Sequence, residues 1–278
     1  MADNEPAEWF TPGSGEPLPE IDTSTAHIAR VYNYWLGGKD NYAPDREAAA
    51  QVIEAYPPIL DSVRAQRGFL GRAVTYLSAQ AGIRQFLDIG TGLPSADNTH
   101  EVSQRINPSA RIVYVDNDPI VLAHARALLT SSPEGATAYI DADLRDGGKI
   151  LGKAAEVLDF EQPVAVMLVG VLHCVPDGDD PAGLVEQLLA AVPSGSHLVL
   201  SHPASNVHVA QIGDATARFN SMAAEGVTLR GHAEVSRFLA GVDLVEPGLV
   251  QLHRWRPGPD GPVPDGELAN YGAVGRKP

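Results

Sequence analysis

Three carboxylates punctuate three successive apolar runs in the chain, and their order is the most chemically loaded feature of the sequence. Asp88 sits in Phe86-Leu-Asp-Ile-Gly-Thr-Gly-Leu-Pro94, two residues ahead of Gly90. Asp116 closes Val113-Tyr-Val-Asp, and Asp141 with Asp143 closes Tyr139-Ile-Asp-Ala-Asp-Leu144. Gly90 and Gly92 let the chain turn sharply and approach a ligand with no Cβ in the way. Asp116, at the strand end after that turn, is placed to accept hydrogen bonds from two ribose hydroxyls. Asp143 is placed to accept from an adenine amino group while the Leu144 N–H donates to a ring nitrogen. A carboxylate at Asp88 repels phosphate and attracts an ammonium group, so the set fits an adenosine carrying an amino-acid tail better than one carrying a pyrophosphate.

These residues need strands whose ends share one crevice. The runs Phe86 to Ile89, Arg111 to Val115, Ala138 to Ile140, Val164 to Val169 and His197 to Leu200 are short and rich in β-branched residues, and several are apolar on both faces. Such strands, separated by helical stretches, predict an α/β fold with a doubly wound, Rossmann-like parallel sheet. Helices over Pro181 to Val192 and Val209 to about Glu225 serve as crossovers, and His232 to Leu239 precedes a strand at Leu249 to Arg254. Tyr271 to Gly275 reads as a last strand, after a surface loop at Pro257 to Asp265.

Before the first strand the pattern is helical. Ile28, Val31, Tyr32, Trp35 and Leu36 make one apolar face between Ser24 and Leu36, with Ser24 or Thr25 as cap and Gly37-Gly38 as stop. Further helices follow from Pro44-Asp45 to Ala55 and from Pro57-Pro58 to about Gly82. The division expected is a loosely docked tail over 1–22, a helical cap over 23–82 and the catalytic domain over 83–278.

Bulk properties exclude several classes. A net charge of −15 argues against a nucleic-acid partner, because binding a phosphate backbone gains from a basic face. The N-terminus lacks an export signal, and the strongest apolar run, Val164 to Val175, is too short to span a bilayer. The single Cys174 lies in an apolar stretch as a buried, reduced thiol, which fits a cytoplasmic protein. The histidine spacing offers no metal site.

Asp88-Ile-Gly-Thr-Gly, Asp116, Asp143-Leu144 and Val166-Met-Leu-Val-Gly-Val-Leu-His173 together resemble class I S-adenosylmethionine-dependent methyltransferases. Ala29 to Tyr42, Val245 to Val250 and Trp255-Arg-Pro resemble a bacterial subgroup of that superfamily of methyltransferase-like proteins. The resemblance implies a seven-stranded sheet with an antiparallel last strand and S-adenosylmethionine as cofactor, and implies much less about the acceptor; the leading reading is methyl transfer to an O or N atom of a small molecule. It marks Asp88, Gly90, Thr91, Gly92, Asp116, Asn117, Asp143, Leu144 and Gly170 as candidates for holding the cofactor. It supplies no catalytic residue, since a sulfonium is already an activated leaving group and needs mainly alignment and exclusion of water.

The helix at Ser24 to Leu36 is the candidate lid. Tyr32, Tyr34 and Trp35 are candidates to pack over the methionine end, where aromatic faces favour a sulfonium; the simpler reading puts Tyr32 and Trp35, on the apolar stripe, in core contacts and leaves Asn33 and Tyr34, off the stripe, free to meet ligand. His173, just past the fourth strand, is the one histidine nominated as a base; His202 and Asp177 are weaker choices, and His100 and His124 read as structural or solvated. Two other functions remain open: a regulatory protein that binds S-adenosylmethionine without turnover, and a nicotinamide-dependent oxidoreductase.

Overall fold

A computed structural model describes residues 21–128, 131–258 and 266–278. The expected tail therefore lies outside the described residues up to position 20, as does most of the Pro257 to Asp265 loop. Three helices precede the sheet: α1 (Ile28–Trp35), α2 (Ala43–Ala55) and α3 (Ile59–Ala79). The alternating part runs β1 (Gln85–Ile89), α4 (Thr99–Ile106), β2 (Arg111–Asp116), α5 (Pro119–Leu128), β3 (Ala136–Asp141), α6 (Gly147–Ala154), β4 (Ala165–Val169), α7 (Pro181–Ala190), β5 (His197–Pro203) and α8 (Val209–Asn220). The chain ends with α9 (His232–Arg237), β6 (Asp243–Leu244), β7 (Val250–Gln251) and β8 (Asn270–Arg276).

The strand order is β3-β2-β1-β4-β5-β8-β6, parallel from β3 to β5, with β8 antiparallel to both β5 and β6. The path holds the expected seven strands and the antiparallel strand near its edge. An eighth, β7, pairs with β8 off the path. The strand expected at Leu249 to Arg254 shrinks to the two residues of β7, because Leu252–Arg254 turns into a 3₁₀ helix that buries Leu252. The seventh, edge place of the path falls to β6, whose two exposed residues carry no alternating pattern to announce it.

Side-chain alternation along the strands assigns the helices to layers. Phe86, Ile112, Met167, Val199 and Val274 face one side, where Phe69, Ala73, Val74 and Leu77 of α3 and Val102 of α4 cover them. Leu87, Val113, Ile140, Leu168 and Leu200 face the other side, against Ile150 of α6, Leu188 of α7 and Phe219 of α8. Thus α3 is a layer of the sheet core, α1 lies at the strand tips, and α2 packs on α1 and α8. Trp255, fully buried, stacks edge-on against Phe69 at 5.4 Å and locks α3 to the C-terminal segment.

Candidate active site

The described side chains converge on one cavity at the C-terminal ends of the parallel strands, lined by all three predicted acidic tips and by α1 and α3. Its first part is built by the loops after β1, β2 and β3. Gly90 and Gly92 hold positive φ angles of 73° and 64°. A Cβ at Gly90 would collide with Val171, while one at Gly92 would meet nothing within 4 Å, so the second glycine borders open space. Asp116 fixes this turn: its Oδ2 accepts from the Gly92 N–H at 2.8 Å and its Oδ1 from the Asp118 N–H at 3.0 Å. Burial raises the Asp116 pKa, and the charge of Asp118 adds to it, against those two hydrogen bonds. Thr91 shares a 2.6 Å hydrogen bond with the Tyr139 hydroxyl, which ties the glycine turn to β3.

The helix after the glycine turn starts only at Thr99, with the Asn98 N–H held by Glu101 at 2.8 Å. Asp88 is reached from that helix: Thr99 Oγ1 donates to its Oδ2 at 2.6 Å. Burial pushes the Asp88 pKa up to about 6, moderated by the Thr99 bond and by the nearby charge of Arg67. Arg67 lines the cavity and donates to the carbonyls of Ala96 and Asp97 at 2.8 and 3.0 Å.

Asp143 is more heavily engaged than its strand-end position announces. Arg145 donates to it from its backbone N–H, Nε and Nη2, each at 2.8 Å, and Asn117 Nδ2 adds a 3.3 Å contact. Those four donors fill the acceptor sites of the carboxylate and hold its pKa down, with the Arg145 side chain as the main cause. Arg145 reaches on to Asp179 at 3.3 Å and Glu225 at 3.5 Å, bridging the loops after β3, β4 and α8.

The second part of the cavity lies over β4, β5 and β8. Gly170, with φ of 76°, has Gln66 packed where a Cβ would stand. Gln66 Oε1 accepts from Asn270 Nδ2 at 3.3 Å and from Ser201 Oγ at 3.4 Å. His173 lines the cavity on a 3₁₀ turn, Leu172–Cys174, with its buried Nδ1 lacking a partner. Burial, with help from Arg230, lowers its pKa to about 4, so the ring is neutral at ordinary pH. Arg230, itself buried, anchors that turn from behind by donating to the carbonyls of Leu172 and Val175 at 3.0 and 2.7 Å, to His202 Nε2 at 3.0 Å and to Asp177 at 2.7 Å.

A matching family model described as S-adenosyl methyltransferase covers residues 14–278. The chain belongs to that family. Among solved structures, a DUF574-family protein from Streptomyces avermitilis is 44% identical with a TM-score of 0.88, covering 93% of this chain and 100% of its own. A candidate methyltransferase from Thermobifida fusca is 39% identical with a TM-score of 0.84, covering 95% and 99%. No curated protein sequence matches the chain. The enzyme is thus an S-adenosylmethionine-dependent methyltransferase, which sets aside the nicotinamide alternative. Among the described residues, no helix is long and apolar enough to cross a membrane.

Set against the sequence expectations, Asp88, Gly90, Thr91, Gly92, Asp116, Asn117, Asp143, Leu144, Gly170 and His173 all line this methyltransferase's cavity. Asn33 and Tyr34 do not. Asn33 Oδ1 instead accepts from the Asp40 N–H at 3.1 Å and Asn41 Nδ2 at 3.0 Å, bracing the turn after α1, and Tyr34 packs on the core. Tyr32 and Trp35 pack on the core as expected and are also the α1 aromatics that reach the cavity. His202 and Asp177 stand outside the lining, as partners of Arg230. The α1 cap is His27 rather than Ser24 or Thr25, whose side chains turn back to Asp22. Cys174 is half-buried at the cavity wall, its thiol pushed up to about 12 by burial. His100 is buried against the Tyr114 hydroxyl at 2.8 Å, and His124 lies 3.5 Å from Asp40.

Sequence reading missed His27 and Arg30. His27 Nδ1 lies 3.0 Å from Asp118 Oδ2, and Arg30 Nε lies 3.6 and 3.8 Å from Asp45 and Asp118, pinning α1 to α2 and to the loop after β2. Burial opposes a charge on His27, but the hydrogen bond and charge of Asp118 outweigh it and raise its pKa. Asp118, two residues past Asp116 in Asp-Asn-Asp, was the available signal.

Proposed function

We propose that the enzyme methylates an O or N atom of a small molecule held over β4, β5 and β8, with the cofactor over β1, β2 and β3 and α1 and α2 as the cap above both. The observation that carries this reading is a single cavity lined at one end by Asp88, Asp116 and Asp143 and at the other by Gln66, His173 and Asn270. Asp116 keeps unused acceptor capacity on both oxygens for the ribose hydroxyls. The adenine amino group takes the place of the long Asn117 contact on Asp143, beside the Leu144 N–H. Asp88 receives the ammonium group, and Arg67, near enough to influence Asp88, receives the carboxylate. Thr91, Gly92 and Gly170 present backbone at close range.

Bound there, S-adenosylmethionine would supply an activated methyl group for displacement by an acceptor lone pair, the carbon–sulfur bonding pair staying on sulfur; a proton on the acceptor would be lost to solvent outside the closed site, before binding or after release. The protein's task is alignment and exclusion of water, which Tyr32 and Trp35 of α1 serve. Neutral His173 holds the acceptor by a hydrogen bond and is a weak base at best. The charge of −15 favours a small molecule over nucleic acid, and the reduced Cys174 favours a cytoplasmic setting.

Calorimetric titration with S-adenosylhomocysteine tests the cofactor half: Asp116→Ala is expected to weaken binding by about a hundredfold, two hydroxyl hydrogen bonds at roughly 1.5 kcal/mol each. Undiminished affinity overturns the assignment. Release of S-adenosylhomocysteine from S-adenosylmethionine in the presence of a fractionated metabolite extract separates an enzyme from a protein that only binds the cofactor.

A further inference from the structure

His27 lines the cavity at the N-terminal end of α1, and its two ring nitrogens stand in different settings. Nδ1 lies 3.0 Å from Asp118 Oδ2 and 3.4 Å from the Ala29 nitrogen. The shorter contact decides where a proton sits, because a bare Nδ1 would set its lone pair against a carboxylate. Asp118 is itself fixed: it is 3% exposed, its Oδ1 accepts from the Ile120 N–H at 2.9 Å, and its own N–H is tied to Asp116 Oδ1 at 3.0 Å. The carboxylate therefore sets the direction of the ring. Nε2 has no partner among the described residues, yet it is not one of the nitrogens sealed from water without a partner, so it opens to the space that His27 borders.

The charges around the ring favour a proton on it. Asp118 and Asp116 face it from the loop after β2, Asp45 of α2 accepts the His27 backbone N–H at 2.9 Å, and Arg30 on the same helix opposes them. Burial pulls the His27 pKa down, but the hydrogen bond and charge of Asp118 outweigh it and lift the pKa above the usual 6.5. The ring thus offers an Nε2–H donor further towards neutral pH than a free histidine does. Ionised Asp116 can only accept, so a diol docked on it gives its protons to the carboxylate and leaves its oxygen lone pairs without a donor.

Resting on the cofactor reading above, we propose that His27 is a further binding residue for the ribose of S-adenosylmethionine, its Nε2–H donating to an oxygen of the diol whose hydroxyls donate to Asp116, with Asp118 as the positioning residue that orients the ring. When the ring loses its charge the remaining proton stays on Nδ1 beside Asp118. Bare Nε2 then turns from donor to acceptor and competes with Asp116 for the same hydroxyl proton, so the contact weakens as pH rises through the His27 pKa.

The test measures by calorimetry, on the full chain, the binding of S-adenosylhomocysteine and of its 2′-deoxy and 3′-deoxy analogues at about pH 6.5 and about pH 8.5. Titration of Asp88 and of the ligand amino group is common to all three ligands and cancels in their ratios. In the wild type, the advantage of S-adenosylhomocysteine over one of the two analogues is expected to be at least about threefold larger at the lower pH. His27→Phe is expected to weaken S-adenosylhomocysteine by about tenfold at the lower pH and that analogue by less than about twofold. An advantage independent of pH for both analogues overturns the proposal without any variant. An equal loss for all three ligands in His27→Phe also overturns it, since a merely structural role of α1 would act on them alike. Failure of the wild type to bind S-adenosylhomocysteine, or undiminished affinity in Asp116→Ala, sinks the cofactor reading; a weakened Asp116→Ala beside an unaffected His27→Phe sinks this inference alone.

Discussion

At the tips of β1, β2 and β3 the cavity is made of groups that lie within a few residues of a strand end, whereas over β4, β5 and β8 it is closed by Gln66 and Asn270, 204 residues apart in the chain. The first end is acidic and internally hydrogen-bonded, with Asp116 holding the Gly92 turn and Arg145 holding Asp143. The second end is lined by the amides of Gln66 and Asn270 and by Ser62 and His173. A ligand common to a whole family can be met by a preformed, self-supporting site. The second end instead gathers its side chains from elements far apart in the chain.

If the two ends are separately built, damage to one should spare the other. The largest effect is expected for Arg230→Met, which leaves the Leu172 and Val175 carbonyls and His202 without their donor; unfolding should cost about 3–5 kcal/mol less than in the wild type. Denaturant melts read this, and S-adenosylhomocysteine affinity should stay within about threefold. A parallel collapse of cofactor affinity would mean the ends are one unit.

Gly90→Ala probes the seam between them, since it combines a left-handed backbone with a side chain driven into Val171 from the loop after β4. A loss of about 2–3 kcal/mol of stability is expected, together with weaker binding at both ends.

Asp88→Asn should separate stability from binding. The folded protein keeps a proton on Asp88 up to about pH 6, while the unfolded chain releases it near the ordinary value of 3.8. Stability therefore falls as pH rises through that window and stays lower above it. The substitution should raise stability by about 1–3 kcal/mol at pH 7.5, shrinking towards nothing at pH 4, while cofactor affinity at pH 7.5 drops about tenfold. Thermal melts across pH, paired with calorimetry, check both halves; a melting temperature unchanged at pH 7.5 would show that the carboxylate is not destabilised by burial. The smallest effect belongs to Tyr34→Phe, which should change cofactor affinity by less than about twofold and stability by less than about 0.5 kcal/mol, because Tyr34 lies outside the cavity lining.

Legibility followed the same divide. Parallel strands buried on both faces announced the sheet, and the Asp88-Ile-Gly-Thr-Gly turn announced the loop that Asp116 was found to hold. The α1 helix shows where such reading stops. Its apolar stripe correctly marked Val31, Tyr32 and Trp35 as facing inward, but periodicity reports only that a side chain leaves bulk water. It does not distinguish a protein core from a ligand cavity: Tyr32 and Trp35 pack in the core and also reach the cavity wall, whereas Asn33 braces the turn after α1 and Tyr34 packs on the core outside the lining. Arg145 is two residues from Asp143 and was in plain view; its claim on that carboxylate depended on a loop conformation that brings backbone and guanidinium to the same two oxygens.

What the sequence determined by itself is the cofactor end and the topology that carries it, because strand periodicity, glycine turns and acids at strand tips act over a few residues, through backbone geometry. Tertiary structure alone decided the rest of the cavity: which face of α1 lines it, that Gln66 meets Asn270, and that Arg230 props the His173 turn. Those are contacts between elements far apart along the chain, chosen by how the layers pack, and no local pattern encodes them.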